Sequence, residues 1–211
     1  MAGAPHTRRG ALILLEGVDR CGKSTQAKLL AEHLNGILQN FPDRTTSIGS
    51  TINAYLSNAC DMNDRAIHLL FSANRWEAAD KLREHLLQGK HVVLDRYSYS
   101  GVAFTAAKNK PGLTLEWCMQ PEVGLPKPDV VIFLDITTED AAKRSAYGDE
   151  RYEKKEFQDQ VRKNFFHIMQ TQKWHVVDAT KSIDEIHAQI KQIAHECIDR
   201  IRTLPIADIS N

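Results

Sequence analysis

Residues 11–25 read ALILLEGVDRCGKST, and this stretch predicts both the fold and a phosphate-binding site. The apolar run at 11–15 is typical of a fully buried strand. Gly17-Val-Asp-Arg-Cys-Gly-Lys-Ser24 then matches the pattern GxxxxGK[ST], and a helical period follows it. Glycines let backbone amides approach a phosphate closely, and the next helix adds its positive amino-terminal end. The sequence therefore predicts a P-loop in its strand–loop–helix context.

The loop residues have distinct expected roles. We expect Lys23 to reach the β- and γ-phosphates of ATP, and Ser24 to place its hydroxyl on Mg²⁺. Arg20 is a candidate for an arginine supplied in cis over the γ-phosphate, with a surface ion pair as the alternative. Asp95 follows a later apolar run, the usual place for a second metal-directing carboxylate, with a helix cap as the alternative. The predicted ATP-binding loop residues are Gly17, Val18, Asp19, Arg20, Cys21, Gly22, Lys23, Ser24 and Thr25.

The composition limits the possible partners. Lys plus Arg and Asp plus Glu both number 27 in 211 residues, so the formal charge is zero. This balance argues against a broad nucleic-acid surface or an anionic membrane partner. The longest apolar runs hold about five residues, whereas a membrane span needs roughly 20. The four cysteines form no CxxC pair and are expected to be free thiols. We expect a soluble cytoplasmic enzyme with a flexible basic tail at 1–9.

Short apolar runs alternate with amphipathic stretches, which is typical of repeated βαβ units. This pattern predicts an α/β fold: a P-loop NTPase-type doubly wound five-stranded parallel sheet with helices on both faces and a short lid, forming one domain over 1–211. The polar stretch at about 144–156 is the expected lid, with a solvated turn as the alternative. The five predicted strands, which we expect to be buried, are 11–15, 37–41, 91–95, 129–135 and 174–178. The predicted helices are 23–35, 63–88 and 183–201.

Three arginines indicate a second phosphorylated substrate. Arg44, Arg75 and Arg96 lie beside aromatic residues or near predicted strand ends. Arginine donates two parallel hydrogen bonds to phosphate, so converging arginines suit such a ligand, although each alone could form a surface salt bridge. Phe71 and Arg75 share a helix face, where a ring could stack on a base and the guanidinium could donate to its O4. Ordinary core packing of Phe71, with Arg75 snorkelling toward solvent, is the alternative.

A phosphate acceptor is already largely a dianion at neutral pH, so its reaction requires no general base. This agrees with the nine histidines, none of which has an assignable role. A guanine-type Asn-Lys-x-Asp motif is absent from the sequence, because Asn109-Lys110 is followed by Pro111 and Gly112. The pattern therefore favours an ATP-dependent kinase over a GTPase.

From Gly10 to about Ile201 the chain closely resembles the animal-type thymidylate kinases. The resemblance implies a homodimer that makes dTDP from dTMP with MgATP. The motifs that carry it are LEGVDRCGKST at 15–25, FPDR at 41–44, HLLFSANRWE at 68–77, DRY at 95–97, SGVAFT at 100–105, GLPKPD at 124–129 and ERYE at 150–153.

The resemblance also implies roles for individual residues. Arg44 and Arg96 would hold the dTMP phosphate, and Arg20, Lys23 and Asp95 would be catalytic. Arg144 and Lys181 would flank the adenine, while Ser24 and Asp95 would direct Mg²⁺. The implied dTMP-binding residues are Asp19, Phe41, Arg44, Phe71, Arg75, Arg96, Gly101, Phe104, Tyr152 and Gln158.

Two positions depart from the family pattern, and two other functions stay open. Phe104 stands where some relatives carry Tyr, and Asp43 stands where Glu is common. A deoxynucleoside kinase would use a hydroxyl acceptor and need a carboxylate base. An inactive nucleotide-binding scaffold would require defects at Lys23, Asp95 or Arg20, and the sequence has none.

Overall fold

The computed structural model describes residues 9–144 and 150–210, and its centre is a parallel β-sheet of five strands. The strand order is β2-β3-β1-β4-β5. This topology confirms the predicted doubly wound parallel sheet. The strands are β1 (Leu12–Glu16), β2 (Ile37–Asn40), β3 (Val92–Asp95), β4 (Val130–Asp135) and β5 (His175–Asp178).

Helices cover both faces of this sheet. Two predicted helix starts are confirmed: the Asn63 side chain caps the long third helix, and Ser182 with Glu185 forms a capping box before the last one. Within the described ranges, no helix is long and apolar enough to cross a membrane. The helices are α1 (Lys23–His33), α2 (Ser47–Leu56), α3 (Asp64–Leu87), α4 (Ser98–Ala106), α5 (Leu115–Met119), α6 (Thr138–Ala142), α7 (Lys155–Met169) and α8 (Ile183–Ile201).

The central strand β1 separates two apolar cores. Its five residues are all buried, and alternate side chains point to opposite faces of the sheet. Ile13 and Leu15 pack in the core that contains residues of α1 and α8. Leu12 and Leu14 pack in the core that contains residues of α3, α4 and α7. A strand buried on both faces is continuously apolar, which explains the run at 11–15.

Several expectations need correction. We predicted five buried strands, but β2 and β5 lie at the edges of the sheet. Half-buried and exposed residues alternate along β2, and most residues of β5 are exposed. The predicted helix ranges do not include α2 or α4–α7. Arg9 departs from the expected flexible tail, because its guanidinium pairs with Asp129 at 2.6 and 2.8 Å. Residues 1–8 of that tail and 145–149 of the expected lid lie outside the described residues.

The register of the sheet brings two predicted site segments together. Leu15 of β1 pairs with Asp95 of β3, so the P-loop leaves the sheet beside the end of β3. In doubly wound sheets, ligands bind in the crevice at the carboxyl ends of the strands. The parallel pairing thus places the P-loop and Asp95 at this edge.

Candidate active site

A cleft of about 1150 Å³ opens at the carboxyl ends of β1 and β3. Most of the predicted site residues line it, although they come from distant parts of the chain. Gly17, Val18 and Gln158 do not line the cleft but bond to residues that do. The predicted residues that line it are Asp19, Arg20, Cys21, Gly22, Lys23, Ser24, Thr25, Phe41, Arg44, Phe71, Arg75, Asp95, Arg96, Gly101, Phe104, Arg144, Tyr152 and Lys181.

The P-loop ends at the amino terminus of α1. Gly22 is the N-cap at φ 97°, a left-handed conformation that suits glycine. It offers no side-chain cap, so the first amides of α1 remain available for an anion. The Lys23 Nζ donates to the Val18 carbonyl at 2.6 Å and lies 3.5 Å from the Cys21 Sγ. The lysine is therefore folded back over its own loop, where a phosphate can replace the carbonyl.

Ser24 and Asp95 meet beside the P-loop. The Ser24 hydroxyl donates to Asp95 Oδ2 at 2.5 Å. Both residues supply hard oxygen ligands, which Mg²⁺ prefers, and Mg²⁺ commonly takes only one or two protein ligands beside phosphate oxygens and water. No cluster of three or more His, Cys, Asp or Glu suited to a metal is present in the described ranges. The pair fits an ion that arrives with a nucleotide.

Two arginines of the cleft have strained backbones. Arg20 has φ 63° and Arg96 has φ 66°, in the left-handed region that side chains rarely adopt. Such conformations cost about 1–3 kcal/mol each and persist where surrounding contacts impose them. The Arg20 Nε donates to Glu153 Oε1 at 2.8 Å, and Arg96 Nη1 donates to the Gly17 carbonyl at 3.1 Å. Both guanidinium groups are thereby directed into the cleft.

Asp19 joins the P-loop to α4 and α7. Its carboxylate pairs with Arg96 and accepts from Gln158 Nε2 at 2.6 Å. The Gln158 Oε1 accepts from the Asp19 backbone amide at 3.0 Å, and its Nε2 also donates to the Tyr152 carbonyl at 2.9 Å. The buried Gln158 thus connects the P-loop to the segment beyond residue 149.

Arg75 is held by a buried partner that the sequence did not reveal. Its Nε and Nη2 donate to the Glu122 carboxylate at 2.7 and 2.6 Å, and both side chains are at most 3% exposed. The guanidinium packs on Gly101, where an added Cβ would lie 2.6 Å from Arg75 Nη2. Phe71 lies one turn earlier on α3 and also lines the cleft. This arrangement excludes the snorkelling arginine that was the packing alternative.

Arg44 lies at the rim of the cleft. Its Nη1 donates to Asn53 at 2.8 Å, and its Nη2 pairs with Glu150 at 2.7 Å. The turn that carries it is fixed by Asn74, which accepts from the Asp43 amide at 2.7 Å and donates to the Asp43 carbonyl at 3.1 Å. Arg44 can therefore exchange an exposed carboxylate partner for a phosphate while its backbone stays in place.

The other end of the cleft is bounded by Arg144. Its Nη1 donates to the Arg20 carbonyl at 3.0 Å and its Nη2 to the Ala179 carbonyl at 2.7 Å. Lys181 follows two residues after Ala179 and lines the same end. A planar guanidinium bonded at both ends offers its face to an aromatic base.

An aromatic cluster contributes Phe104 and Tyr152 to the wall of the cleft. Tyr152 stacks on Phe157 with ring centroids 5.0 Å apart and lies 5.7 Å from Phe104. The Arg96 guanidinium lies 5.0 Å from the centre of the Phe104 ring. Burial, followed by the neighbouring Tyr55 hydroxyl, raises the pKa of Tyr152, so its phenol stays protonated. The cluster forms an apolar wall without an ionised group.

Glu16, at the end of β1, fixes the start of α4 beside the cleft. It is fully buried and accepts from the Tyr97 and Ser100 amides at 3.2 and 3.0 Å and from the Ser100 hydroxyl at 2.5 Å. Burial raises the pKa of Glu16, while the nearby Arg96 charge opposes this rise. Glu16, Asn74 and Ser100 lie inside motifs already quoted, but Glu122 follows Pro121 in a stretch with no periodic signal.

This sheet, its P-loop and the arginines across one cleft define a P-loop kinase with a nucleotide as second substrate. A family model described as "Thymidylate kinase" matches residues 15–190. The chain belongs to the thymidylate kinase family, and its enzyme class is nucleoside monophosphate kinase.

Individual relatives agree with this assignment. The chain is 48% identical to a thymidylate kinase of Dictyostelium discoideum, with 96% of this chain and 92% of the relative covered. It is 47% identical to a thymidylate kinase of Homo sapiens, with 96% of this chain and 98% of that relative covered. A solved structure of thymidylate kinase from Candida albicans superposes with a TM-score of 0.88 at 40% identity, covering 96% of this chain and 99% of that one.

Proposed function

We propose that the cleft transfers the γ-phosphoryl group of ATP to dTMP and forms dTDP and ADP. The observation that carries this proposal is the single continuous cleft that contains both the P-loop and the arginines Arg44, Arg75 and Arg96. Two anionic nucleotides can meet there with their phosphates between Lys23 and Arg96. Positioning and charge neutralisation supply most of the catalysis in phosphoryl transfer.

ATP binds at the P-loop end. The free amides at the start of α1 hold its phosphates, and Lys23 leaves the Val18 carbonyl for the β- and γ-phosphates. Arg144 and Lys181 lie on either side of the adenine. The bond from Arg144 to the Arg20 carbonyl connects the base site to the catalytic arginine.

dTMP binds at the other end. Phe71 stacks on thymine and Arg75 donates to its O4, while Phe41, Gly101 and Phe104 shape the space for the base and sugar. Arg44 and Arg96 hold the phosphate, and Asp19 approaches the 3′-hydroxyl. Tyr152 and Gln158 close the site, supported by the hydrogen bond between them.

The reaction requires no general base, because the acceptor phosphate is largely a dianion at neutral pH. Arg20 neutralises the charge that develops on the transferred group. Its partner Glu153 holds the side chain over the P-loop before the γ-phosphate arrives. Ser24 and Asp95 would hold Mg²⁺, which neutralises phosphate charge when it is bound with ATP.

The assembly and the location of the chain remain predictions. We infer that residues 1–211 act as one kinase domain, that the enzyme is a homodimer and that it is cytoplasmic. Leu69 and Trp76 are 49% and 44% exposed and lie two turns apart on α3, which supports an apolar contact between two copies. Light scattering should give about twice 23.8 kDa, and cell fractionation tests the location.

A panel of acceptors with ATP and Mg²⁺ tests the reaction. The purified chain should phosphorylate dTMP much faster than dCMP, dAMP or dGMP, measured by coupled ADP release. Thymidine is the matched control, since it carries the same base and sugar without the phosphate. Turnover of thymidine alone would instead indicate a deoxynucleoside kinase.

A further inference from the structure

Two histidine side chains face each other on the surface between α1 and α8. The His33 Nε2 atom lies 3.0 Å from the His195 Nε2 atom, and both residues are exposed. The two rings are nearly perpendicular, and their centroids are 5.3 Å apart. Neither residue lines the cleft. Two imidazole nitrogens therefore converge from different helices at a place outside the candidate active site.

The two helices that carry these rings are fixed against each other by buried residues. Ala31 of α1 packs in the same apolar core as Ile190 and Ala194 of α8. His33 follows Ala31 by two residues, and His195 comes directly after Ala194. The core thus sets the backbone positions of both histidines, while their exposed rings can still rotate toward a shared ligand.

The separation of the two nitrogens suits a metal ion as well as a hydrogen bond. A hydrogen bond between two imidazoles uses one N–H and one lone pair. A metal ion takes a lone pair from each ring, after the donating ring has moved its proton from Nε2 to Nδ1. With metal–nitrogen bonds of about 2.0–2.1 Å at an angle of about 90–110°, the two nitrogens lie about 2.8–3.4 Å apart. The observed separation of 3.0 Å falls within this range.

The surroundings of the pair favour a cation. His33 lies in the last turn of α1, where the helix dipole is negative. The His187 ring centroid lies 6.1 Å from that of His33. Burial, followed by the charges of Lys191 and His33, lowers the pKa of His187, and burial, followed by the charge of His195, lowers that of His91. These two neighbouring histidines therefore favour their neutral form, which adds no charge that would repel a metal ion.

We propose that His33 and His195 form a two-histidine site for a divalent transition-metal ion of the class that prefers imidazole, namely Zn²⁺, Ni²⁺ or Cu²⁺, and that the ion clips the end of α1 to α8. Water would complete the coordination, because residues 9–144 and 150–210 contain no group of three or more His, Cys, Asp or Glu suited to a metal. This ion differs from the Mg²⁺ of the proposed reaction, since Mg²⁺ prefers oxygen ligands. The inference is independent of the proposed function.

Calorimetric titration with ZnCl₂, in the absence of nucleotide and Mg²⁺, tests the site. The unsubstituted chain should bind Zn²⁺ through the pair, and His33→Gln and His195→Gln should each weaken this binding. We expect a loss of at least about 10-fold in each variant, because removing even a side chain that only supports a metal ligand typically costs about 10- to 100-fold in affinity. Circular dichroism spectra that match that of the unsubstituted chain would show that both variants are folded.

Thermal unfolding gives a second readout of the same site. A ligand that binds the folded chain raises its stability by mass action, so Zn²⁺ at about 100 times its Kd should raise Tm by about 5–10 °C. The rise should be lost in both His33→Gln and His195→Gln. An equal concentration of MgCl₂ should not reproduce it, because Mg²⁺ does not favour imidazole ligands.

His175→Gln is the matched control, because His175 is exposed at the start of β5 and does not belong to the pair. It should keep both the Zn²⁺ affinity and the rise in Tm. Equal Zn²⁺ affinity in the unsubstituted chain and in His33→Gln or His195→Gln would overturn the two-histidine site, and so would a failure of the unsubstituted chain to bind Zn²⁺.

Discussion

Arg20 of the P-loop pairs with Glu153, a residue 133 positions later in the chain, with Nε 2.8 Å from Oε1. The Glu153 side chain is 6% exposed, whereas that of Arg20 is 32% exposed. The contact joins the phosphate-binding loop to the segment just beyond the expected lid. In the proposed reaction, this contact would hold a cation where charge develops on the transferred phosphoryl group.

Removing this cation should slow the chemical step. We expect Arg20→Ala to lower kcat by at least about 100-fold, the order attributed to an arginine acting on the transition state, with little change in ATP affinity. Steady-state kinetics and nucleotide titration measure the two effects. Arg151→Ala is the matched control, because Arg151 bonds to Tyr55, Cys60 and Asp61 and does not line the cleft. A normal kcat in Arg20→Ala would contradict the role.

The aromatic ring of Phe71 should act on one nucleotide only. We expect Phe71→Ala to weaken dTMP binding about 10- to 100-fold, since stacking on an aromatic ring contributes roughly 1–3 kcal/mol per base. ATP affinity should not change. Phe166→Ala removes a similar ring that does not line the cleft and should leave both affinities intact. Equal losses for dTMP and ATP in Phe71→Ala would indicate packing rather than stacking.

A single methyl group at Gly101 should disturb Arg75. The added Cβ would lie 2.6 Å from Nη2 and 3.2 Å from Nη1, and Glu122 prevents the guanidinium from moving away freely. We expect Gly101→Ala to raise KM for dTMP by about 10-fold or more, because a misplaced donor costs on the order of 1–3 kcal/mol. The controls are an unchanged KM for ATP and a circular dichroism spectrum that matches that of the unsubstituted, folded enzyme. A normal KM for dTMP would show that Arg75 does not need this space.

Ser24 should set the metal requirement. We expect Ser24→Ala to raise the Mg²⁺ concentration that gives half-maximal activity by about 10-fold. Removing one side chain that supports a metal site typically lowers metal affinity by about 10- to 100-fold, and this expectation takes the lower value. Ser24→Thr retains a hydroxyl and serves as the conservative comparison. Activity as a function of free Mg²⁺ at saturating ATP and dTMP measures the effect. An identical Mg²⁺ dependence in Ser24→Ala would place the ion elsewhere.

The four cysteines should differ sharply in reactivity. Burial raises the pKa of Cys118 to about 12 and that of Cys197 to about 11, so both thiols stay protonated at pH 8, and Cys21 is 1% exposed. Cys60 is half-buried. A disulfide reagent at pH 8 should therefore titrate one thiol rapidly, and Cys60→Ser should abolish that phase. All four thiols should react after denaturation. Rapid reaction of more than one thiol in the native enzyme would contradict the burial of Cys21, Cys118 and Cys197.

Helix α4 shows why some of the fold could not be predicted. Residues 98–106 contain a glycine and aromatic and β-branched residues, and Tyr97 provides no side-chain cap. The Glu16 carboxylate satisfies the Tyr97 and Ser100 amides from 81 and 84 residues away. The helix therefore begins where a distant buried carboxylate accepts its first amides. The burial of strand β5 was overestimated, because its apolar residues do not show whether the strand lies at the centre or at the edge of the sheet.

Features that depend on local spacing could be predicted from the sequence. The P-loop, the alternation of strands and helices, and the shared face of Phe71 and Arg75 follow from periodicity and from backbone geometry over a few residues. The partners that hold the cleft residues are set by long-range packing and are seen in the folded structure alone. Glu122 binds Arg75 across 47 residues and His68 binds Thr105 across 37. Such contacts form because buried polar groups need hydrogen-bond partners inside the packed chain. The spacing of residues along the sequence does not indicate which distant residue becomes the partner.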